Sequence, residues 1–292
     1  MSAMVHPGWR SLLFVSADDP ARLAKVGGRG ADAIILDLED AVSPDRKDAA
    51  RSALPAAIAR LDGEGQALVV RVNGGWSALA ADLDAAVRPG VAAIMLPKVE
   101  QAWRIEALAE MLAEHERERG LAPNGIGIIA LVESPAGLAA LPAIAAAPRI
   151  MGVALGSEDL SLALGVAPSA AFLDLPVRQV AMAAAGAGVM ALGIALSIAE
   201  FRDMDAYADA ARLSRAYGIS GALCIHPAQV AAANRAFAPN AAELAEARAV
   251  IDAWDRAGAS GVASLDGRMI DRPVMLRARR LVAQGMVRAV TD

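Results

Sequence analysis

Eight short runs of aliphatic and β-branched residues recur along the chain: Ser11–Val15, Ala33–Leu38, Ala67–Val72, Val91–Leu96, Ile126–Val132, Ile150–Leu155, Gly188–Ile194 and Ile219–Ile225. Each is near-continuously apolar, as expected of a parallel strand covered on both faces. The segments between them carry apolar residues at helical spacing with helix-start and helix-stop signals, as in Pro20–Lys25, Glu100–Arg119 and Asp203–Tyr217. Eight strand–helix alternations predict a closed (β/α)8 barrel rather than an open sheet. The opening through Trp9 is placed to cap the barrel floor.

After the eighth run the pattern changes. Pro227–Phe237, Ala241–Gly258 and Arg272–Met286 read as helices with no strand between them, and SGVASLDGRMID reads as a linker of small residues. The expected organisation is therefore a barrel domain over residues 1–226 and a helical tail over 227–292, packed on its own barrel or a neighbour's. Val180–Ala199 is uncharged and long enough for a membrane span, but Gly186, Gly188 and Gly193 interrupt it. It reads instead as a helix end running into a barrel strand. The GAGVMA within it only loosely matches a dinucleotide fingerprint and carries no weight.

Composition narrows the picture. Of 292 residues, 56% are hydrophobic but only 3% aromatic, so a large core must be built from Ala, Val, Leu and Ile. A net charge of −5 argues against nucleic acid as a partner. Cys224 is the only cysteine, which precludes an intrachain disulfide and fits a reducing cytoplasm. The first ten residues, MSAMVHPGWR, hold no apolar stretch of signal-peptide length, so no export is expected.

Catalytic groups in such barrels stand at the carboxyl ends of strands. Those ends supply Asp37, Glu39 and Asp40 after the second run, Arg71 and Asn73 after the third, Lys98 after the fourth, Glu133 after the fifth, Glu158 and Asp159 after the sixth, and His226 after the eighth. Glu133 closes GIGIIALVE and Asp159 follows IMGVALGSED, so two hard oxygen ligands converge at one mouth. That pair suits Mg²⁺ with open positions for a small oxo- or hydroxy-acid. Arg71 is the obvious cation among these acids, either salt-bridged to Glu39 or Asp40 or aimed at a carboxylate or developing oxyanion. Lys98 is one of three lysines, with Lys25 and Lys47, and the only one at a strand end. Beside so many carboxylates its ammonium should stay charged, favouring an ion-pairing or substrate-orienting role over imine chemistry. His226, followed by Pro227, reads as a turn-packing residue, and Cys224 as an inert core residue.

The blocks RSLLFVS, ADAIILDLEDAVSPDRKDAAR, VVRVNG, AAIMLPKVE, IIALVESPAGL, VALGSEDL, CIHPAQV and SLDGRMIDRP resemble, in order, the signature blocks of citrate lyase β-subunit-like proteins, CoA-ester lyases of the HpcH/HpaI aldolase superfamily. The resemblance covers nearly the whole chain. It implies a (β/α)8 barrel in a homotrimer or homohexamer, Mg²⁺ (with Mn²⁺ as a substitute) on Glu133 and Asp159, a substrate-contacting Arg71, and supporting acids Glu39 and Asp40. It also implies that a tail aspartate, here Asp271 and less so Asp266, completes a neighbouring subunit's site. The implied reaction is retro-Claisen cleavage of a 3-hydroxyacyl-CoA, such as citramalyl-CoA or malyl-CoA, into acetyl-CoA and a 2-oxo acid. A malyl-CoA-type thioesterase and a citryl-carrier lyase subunit are the alternatives. The chain departs from the family pattern at SADDP after the first strand, at Ala195 in place of a strand-seven aspartate, and at Ser134-Pro135 after Glu133.

Overall fold

The computed structural model describes residues 7–258 and 261–289, which form two compact units divided after Phe237. The first unit alternates strands and helices: β1 (Ser11–Ser16), α1 (Pro20–Val26), β2 (Ala33–Asp37), α2 (Lys47–Leu61), β3 (Ala67–Arg71), α3 (Trp76–Ala86), β4 (Val91–Leu96), α4 (Ala102–Glu118) and β5 (Gly127–Val132). It continues with α5 (Pro135–Ala139), α6 (Leu141–Ala145), β6 (Ile150–Leu155), α7 (Ser157–Leu164), α8 (Ala170–Ala187), β7 (Met190–Leu192), α9 (Met204–Ala216), β8 (Ala222–Cys224) and α10 (Pro227–Phe237).

All ladder pairs in this unit are parallel, β1 through β7 pair in sequence, and β8 returns to β1. A bridge between Leu192 and Gly221 joins β7 to β8, so the sheet is the expected (β/α)8 barrel. Strands seven and eight are shorter than their apolar runs suggested. Gly193 takes φ 128, outside the strand range, and a Cβ at Gly221 would stand 2.1 Å from the Trp9 carbonyl oxygen. Close backbone approach there replaces a longer ladder.

Alternation divides most strand residues, with an irregularity on β6 that turns both Met151 and Ala154 inward. Leu12, Ala33, Ile35, Val69, Ala93, Met95, Ile129, Leu131, Ala154, Leu192 and Leu223 fill the barrel interior, with Trp9 at its amino-terminal end. The intervening positions, such as Ile34, Leu36, Val70 and Ile94, pack under the helices. The uncharged stretch from Val180 is α8 running through Gly188 (φ 72) into β7. Among the described residues no helix is long and apolar enough to cross a membrane.

The two compact units divide after Phe237, and α10 packs against α9 and β1 within the first. The second unit is not purely helical. Between α11 (Ala241–Ala257) and α12 (Arg272–Ala289) lies an antiparallel hairpin, β9 (Ala263–Leu265) and β10 (Arg268–Ile270). Its two-residue turn is Asp266-Gly267, at φ 50 and 75, where glycine and aspartate tolerate the left-handed region. Ala253, Ala263, Ile270 and Met275 form this unit's small core.

Candidate active site

The interior alternation carries function up to the rim. Asp37 continues the inward series of Ala33 and Ile35, Arg71 that of Val69, and Glu133 that of Leu131. Because Asp37 and Arg71 are register partners on β2 and β3, their side chains meet at the barrel mouth. The Arg71 guanidinium donates from Nε to Asp37 Oδ1 at 2.7 Å and from Nη2 to Oδ2 at 2.5 Å, a planar two-point pair. Its Nη1 pairs with Glu39 Oε2 at 3.0 Å, and the Phe14 ring lies 4.7 Å from its Cζ. The second hydrogens of the two terminal nitrogens remain for a substrate oxygen. Burial opposes the Arg71 charge, but Asp37, Glu39 and Asp40 outweigh it and raise its pKa.

Asp37, one of the strand-end acids, is fully buried. Its carboxylate also accepts the backbone N–H of Glu39 at 2.9 Å and of Ala41 at 3.2 Å, so it shapes the loop that carries Glu39. Lys47 braces the same loop from Nζ to the carbonyls of Leu38 and Glu39. Asn73, an inventory candidate, binds Leu38 O and Asp82 and supports this loop structurally.

Lys98 behaves as its surroundings demand. Its Nζ donates to Glu39 Oε1 at 2.7 Å and lies 3.7 Å from Asp40, and the hydrogen bond to Glu39 is the main cause of its raised pKa. The ammonium is therefore held charged, which disfavours imine formation. Burial keeps Glu39 above the usual carboxylate range despite the bonds from Lys98 and Arg71. Lys98 also has φ 55, unusual for a residue with a Cβ, and in that conformation its backbone N–H donates to Glu133 Oε2 at 2.7 Å.

Glu133 is the most perturbed acid of the site. Burial first, then the charges of Asp159 and Glu39, push it up to about 8, against the Lys98 N–H and the Arg71 charge. Its carboxylate rests on Gly156: a Cβ there would stand 2.4 Å from Glu133 Cγ and 2.8 Å from Oε1. Asp159, in the first turn of α7, lines the same cavity of about 390 Å³ with Arg71, Asp37, Asp40 and Glu158. Two carboxylates that repel each other in a partly buried cavity match a divalent cation with hard oxygen ligands. Among the described residues no group of three or more His, Cys, Asp or Glu closes around one point.

The remaining candidates fall elsewhere. His226 accepts the Ala228 N–H at Nδ1 and stacks on Phe201 at 5.1 Å, a turn-packing role. Cys224 is buried beside Tyr207 with its thiol pushed up to about 12 by burial, inert as expected. Asp271 lies in the second unit, where its Oδ1 accepts Val274 N–H and caps α12. Asp266 occupies the hairpin turn. Phe14 and Gly156 also line the cavity, and Gln229 holds the backbone of its lining residues Ile225 and Ile198; sequence alone does not single out these three.

Comparison with known proteins places this site in context. The profile of the HpcH/HpaI aldolase/citrate lyase family matches residues 10–227. Citrate lyase subunit beta of Leuconostoc mesenteroides subsp. cremoris is 34% identical over 279 residues, covering 94% of this chain and 92% of that protein. A (3S)-malyl-CoA thioesterase of Cereibacter sphaeroides is 31% identical over 291 residues, covering 97% and 96%. The crystal structure of CitE from Mycobacterium tuberculosis in complex with magnesium, acetoacetate and coenzyme A superposes with a TM-score of 0.76 at 33% identity, covering 94% of this chain and 97% of that one.

Proposed function

Since this chain belongs to the HpcH/HpaI aldolase/citrate lyase family, we propose that it is a Mg²⁺-dependent CoA-ester lyase that splits a 3-hydroxyacyl-CoA into acetyl-CoA and a 2-oxo acid. The observation that carries this reading is the mutually repelling pair of buried Glu133 and half-buried Asp159 in one cavity with an Arg71 held rigidly by Asp37. Glu133 and Asp159 would hold Mg²⁺, or Mn²⁺ in its place. The cation, when bound, supplies Lewis-acid polarisation of the oxo-acid end.

The protein's own groups account for the rest. In the cleavage direction the bond between the carbinol carbon and the thioester α-carbon breaks, the hydroxyl loses its proton, and the α-carbon gains one. Arg71 offers its two remaining N–H groups to the oxygen that becomes the oxo-acid carbonyl, and a donor so fixed is worth about 3–4 kcal/mol in a transition state. Asp37 and Phe14 keep the guanidinium in place, so little reorganisation accompanies the reaction. Glu39 links Arg71 to Lys98, and Asp40 stands at the exposed edge of the cavity. Following the family resemblance, Asp271 of the partner subunit would exchange the proton at the acetyl carbon in a homotrimer or homohexamer. Arg71→Ala and Asp271→Asn should each be inactive, and mixed oligomers of the two should regain activity if the site is shared.

The (3S)-malyl-CoA thioesterase among the relatives makes hydrolysis the second reading. Incubation with malyl-CoA and citramalyl-CoA in the presence of Mg²⁺ separates the two. A 2-oxo acid trapped as its phenylhydrazone, together with acetyl-CoA, is the expected result. Free CoA thiol without oxo acid would replace the lyase reading with the thioesterase one.

A further inference from the structure

The rim of the barrel cavity is chemically divided. The ends of β2, β3, β5 and β6 bring Asp37, Asp40, Arg71, Glu133 and Asp159. The arc from the loop after β7 through β8 to β1 brings Ile198, Leu223, Ile225 and Phe14, bounded by Ser16 at the end of β1 and Arg22 on α1. Ile225 is 42% exposed, a large apolar side chain left open at the mouth.

This apolar arc is preset rather than slack. Gln229 of α10 is fully buried, and its Oε1 accepts the N–H groups of Ile225 at 2.8 Å and His226 at 3.0 Å. Its Nε2 donates to the carbonyls of Ile198 and Glu200, both at 2.8 Å. One amide thus ties the strand-seven loop to the end of strand eight and fixes Ile198 and Ile225 in one wall. The cations lining the cavity are Arg71 and Arg22. Arg71 is committed to Asp37 and Glu39, while Arg22 is paired with Asp19 at 3.1 Å and its side chain is 77% exposed.

We propose that this arc sets the substrate class. The enzyme takes 3-hydroxyacyl thioesters whose 2-oxo-acid fragment bears hydrogen or a small alkyl group, and rejects those bearing a second carboxylate there. The inference rests on the lyase reading above. The oxo-acid carboxylate and carbonyl are served by the acidic pair with its cation and by Arg71. The substituent on the carbonyl carbon is left to the apolar arc. A methyl group is buried favourably against Ile198 and Ile225. A carboxymethyl group would bring an anion against isoleucine and leucine, with Glu158 on the same rim; among the described residues lining the cavity the guanidiniums are Arg71, held by Asp37 and Glu39 and aimed at the oxo acid, and Arg22, ion-paired with Asp19.

The test compares kcat/KM for citramalyl-CoA, malyl-CoA and citryl-CoA, each read as trapped 2-oxo acid. It is joined by calorimetric binding of pyruvate and oxaloacetate to the Mg²⁺-loaded protein. Citramalyl-CoA should exceed malyl-CoA by about tenfold, the scale of one methyl group in an apolar pocket, and exceed citryl-CoA by at least about a hundredfold. Pyruvate should bind more tightly than oxaloacetate. Ile225→Arg, or Ile198→Lys should the first not fold, should raise the citryl-to-citramalyl ratio at least about tenfold by supplying the missing cation. Citryl-CoA turned over as well as citramalyl-CoA, or a ratio unmoved by either folded variant, would overturn the assignment while leaving the lyase reading intact. If none of the three esters yields an oxo acid, the lyase reading falls. The calorimetric comparison then decides alone: tighter pyruvate supports the apolar-substituent site, and equal or tighter oxaloacetate refutes it.

Discussion

A glycine is as decisive for the site as either carboxylate. Gly156 has φ −92 and ψ 100, an extended conformation open to any residue, so its smallness is needed for space and not for backbone freedom. The space is the seat of the Glu133 carboxylate. Gly156→Ala should therefore fold normally yet displace Glu133, weakening Mg²⁺ binding by about 10- to 100-fold, the usual scale for disturbing the support of a metal ligand. Calorimetric titration with Mg²⁺ on the folded variant measures this, and an unchanged affinity would detach Glu133 from the metal. Asp37 teaches a related lesson. The family resemblance points to Glu39 and Asp40, the acids that follow it. Carrying the two-residue period of β2 one step further from Ala33 and Ile35 leads to Asp37, and the same step from Val69 leads to Arg71. The partner of Arg71 was thus legible in the alternation, whereas the Gly156 seat, which depends on contact between neighbouring strand ends, was not.

At the scale of elements, the eight strands and the helices between them follow the hydrophobic pattern closely, because parallel strands buried on both faces leave little ambiguity. The discrepancies have local causes. Glycines shorten the last two strands: Gly193 takes a positive φ, and Gly221 sits where the Trp9 backbone leaves no room for a Cβ. In the second unit, Asp-Gly between two three-residue strands signals a hairpin, but strands so short, amid small residues, resemble a linker. The Gln229 clamp is a long-range feature invisible to periodicity, since its partners come from the strand-seven loop and the end of strand eight. Gln229→Leu would leave those backbone groups without their amide partner. It should lower stability by about 2–4 kcal/mol, the cost of several buried groups losing hydrogen bonds, as read from the denaturant midpoint. A loss of a few tenths of a kcal/mol would show that the loop and strand hold their positions without it.

For the whole molecule, the acidic pair couples stability to pH and metal. Glu133 titrates at about 8 in the folded protein against 4.5 as its ordinary value, chiefly because it is buried. Between those values the folded state holds a proton that the unfolded chain has released. Metal-free stability must therefore fall as pH rises through this window, by up to about 1.4 kcal/mol per pH unit, and level off above it. Mg²⁺ requires the ionised carboxylate, so its stabilising effect should grow from pH 5 to pH 8. Thermal melts with Mg²⁺ and with chelator at both pH values check this, and Glu133→Gln should abolish the Mg²⁺ effect and flatten the metal-free trend, leaving the smaller same-sign contribution of Glu39. The most direct test of the account is diffraction from crystals grown with Mn²⁺ and pyruvate. The account predicts an anomalous peak between Glu133 and Asp159, about 2.0–2.3 Å from a carboxylate oxygen of each, with pyruvate beside it and within hydrogen-bond reach of Arg71. A barrel mouth with no such peak, or Mn²⁺ bound away from these two side chains, would contradict it.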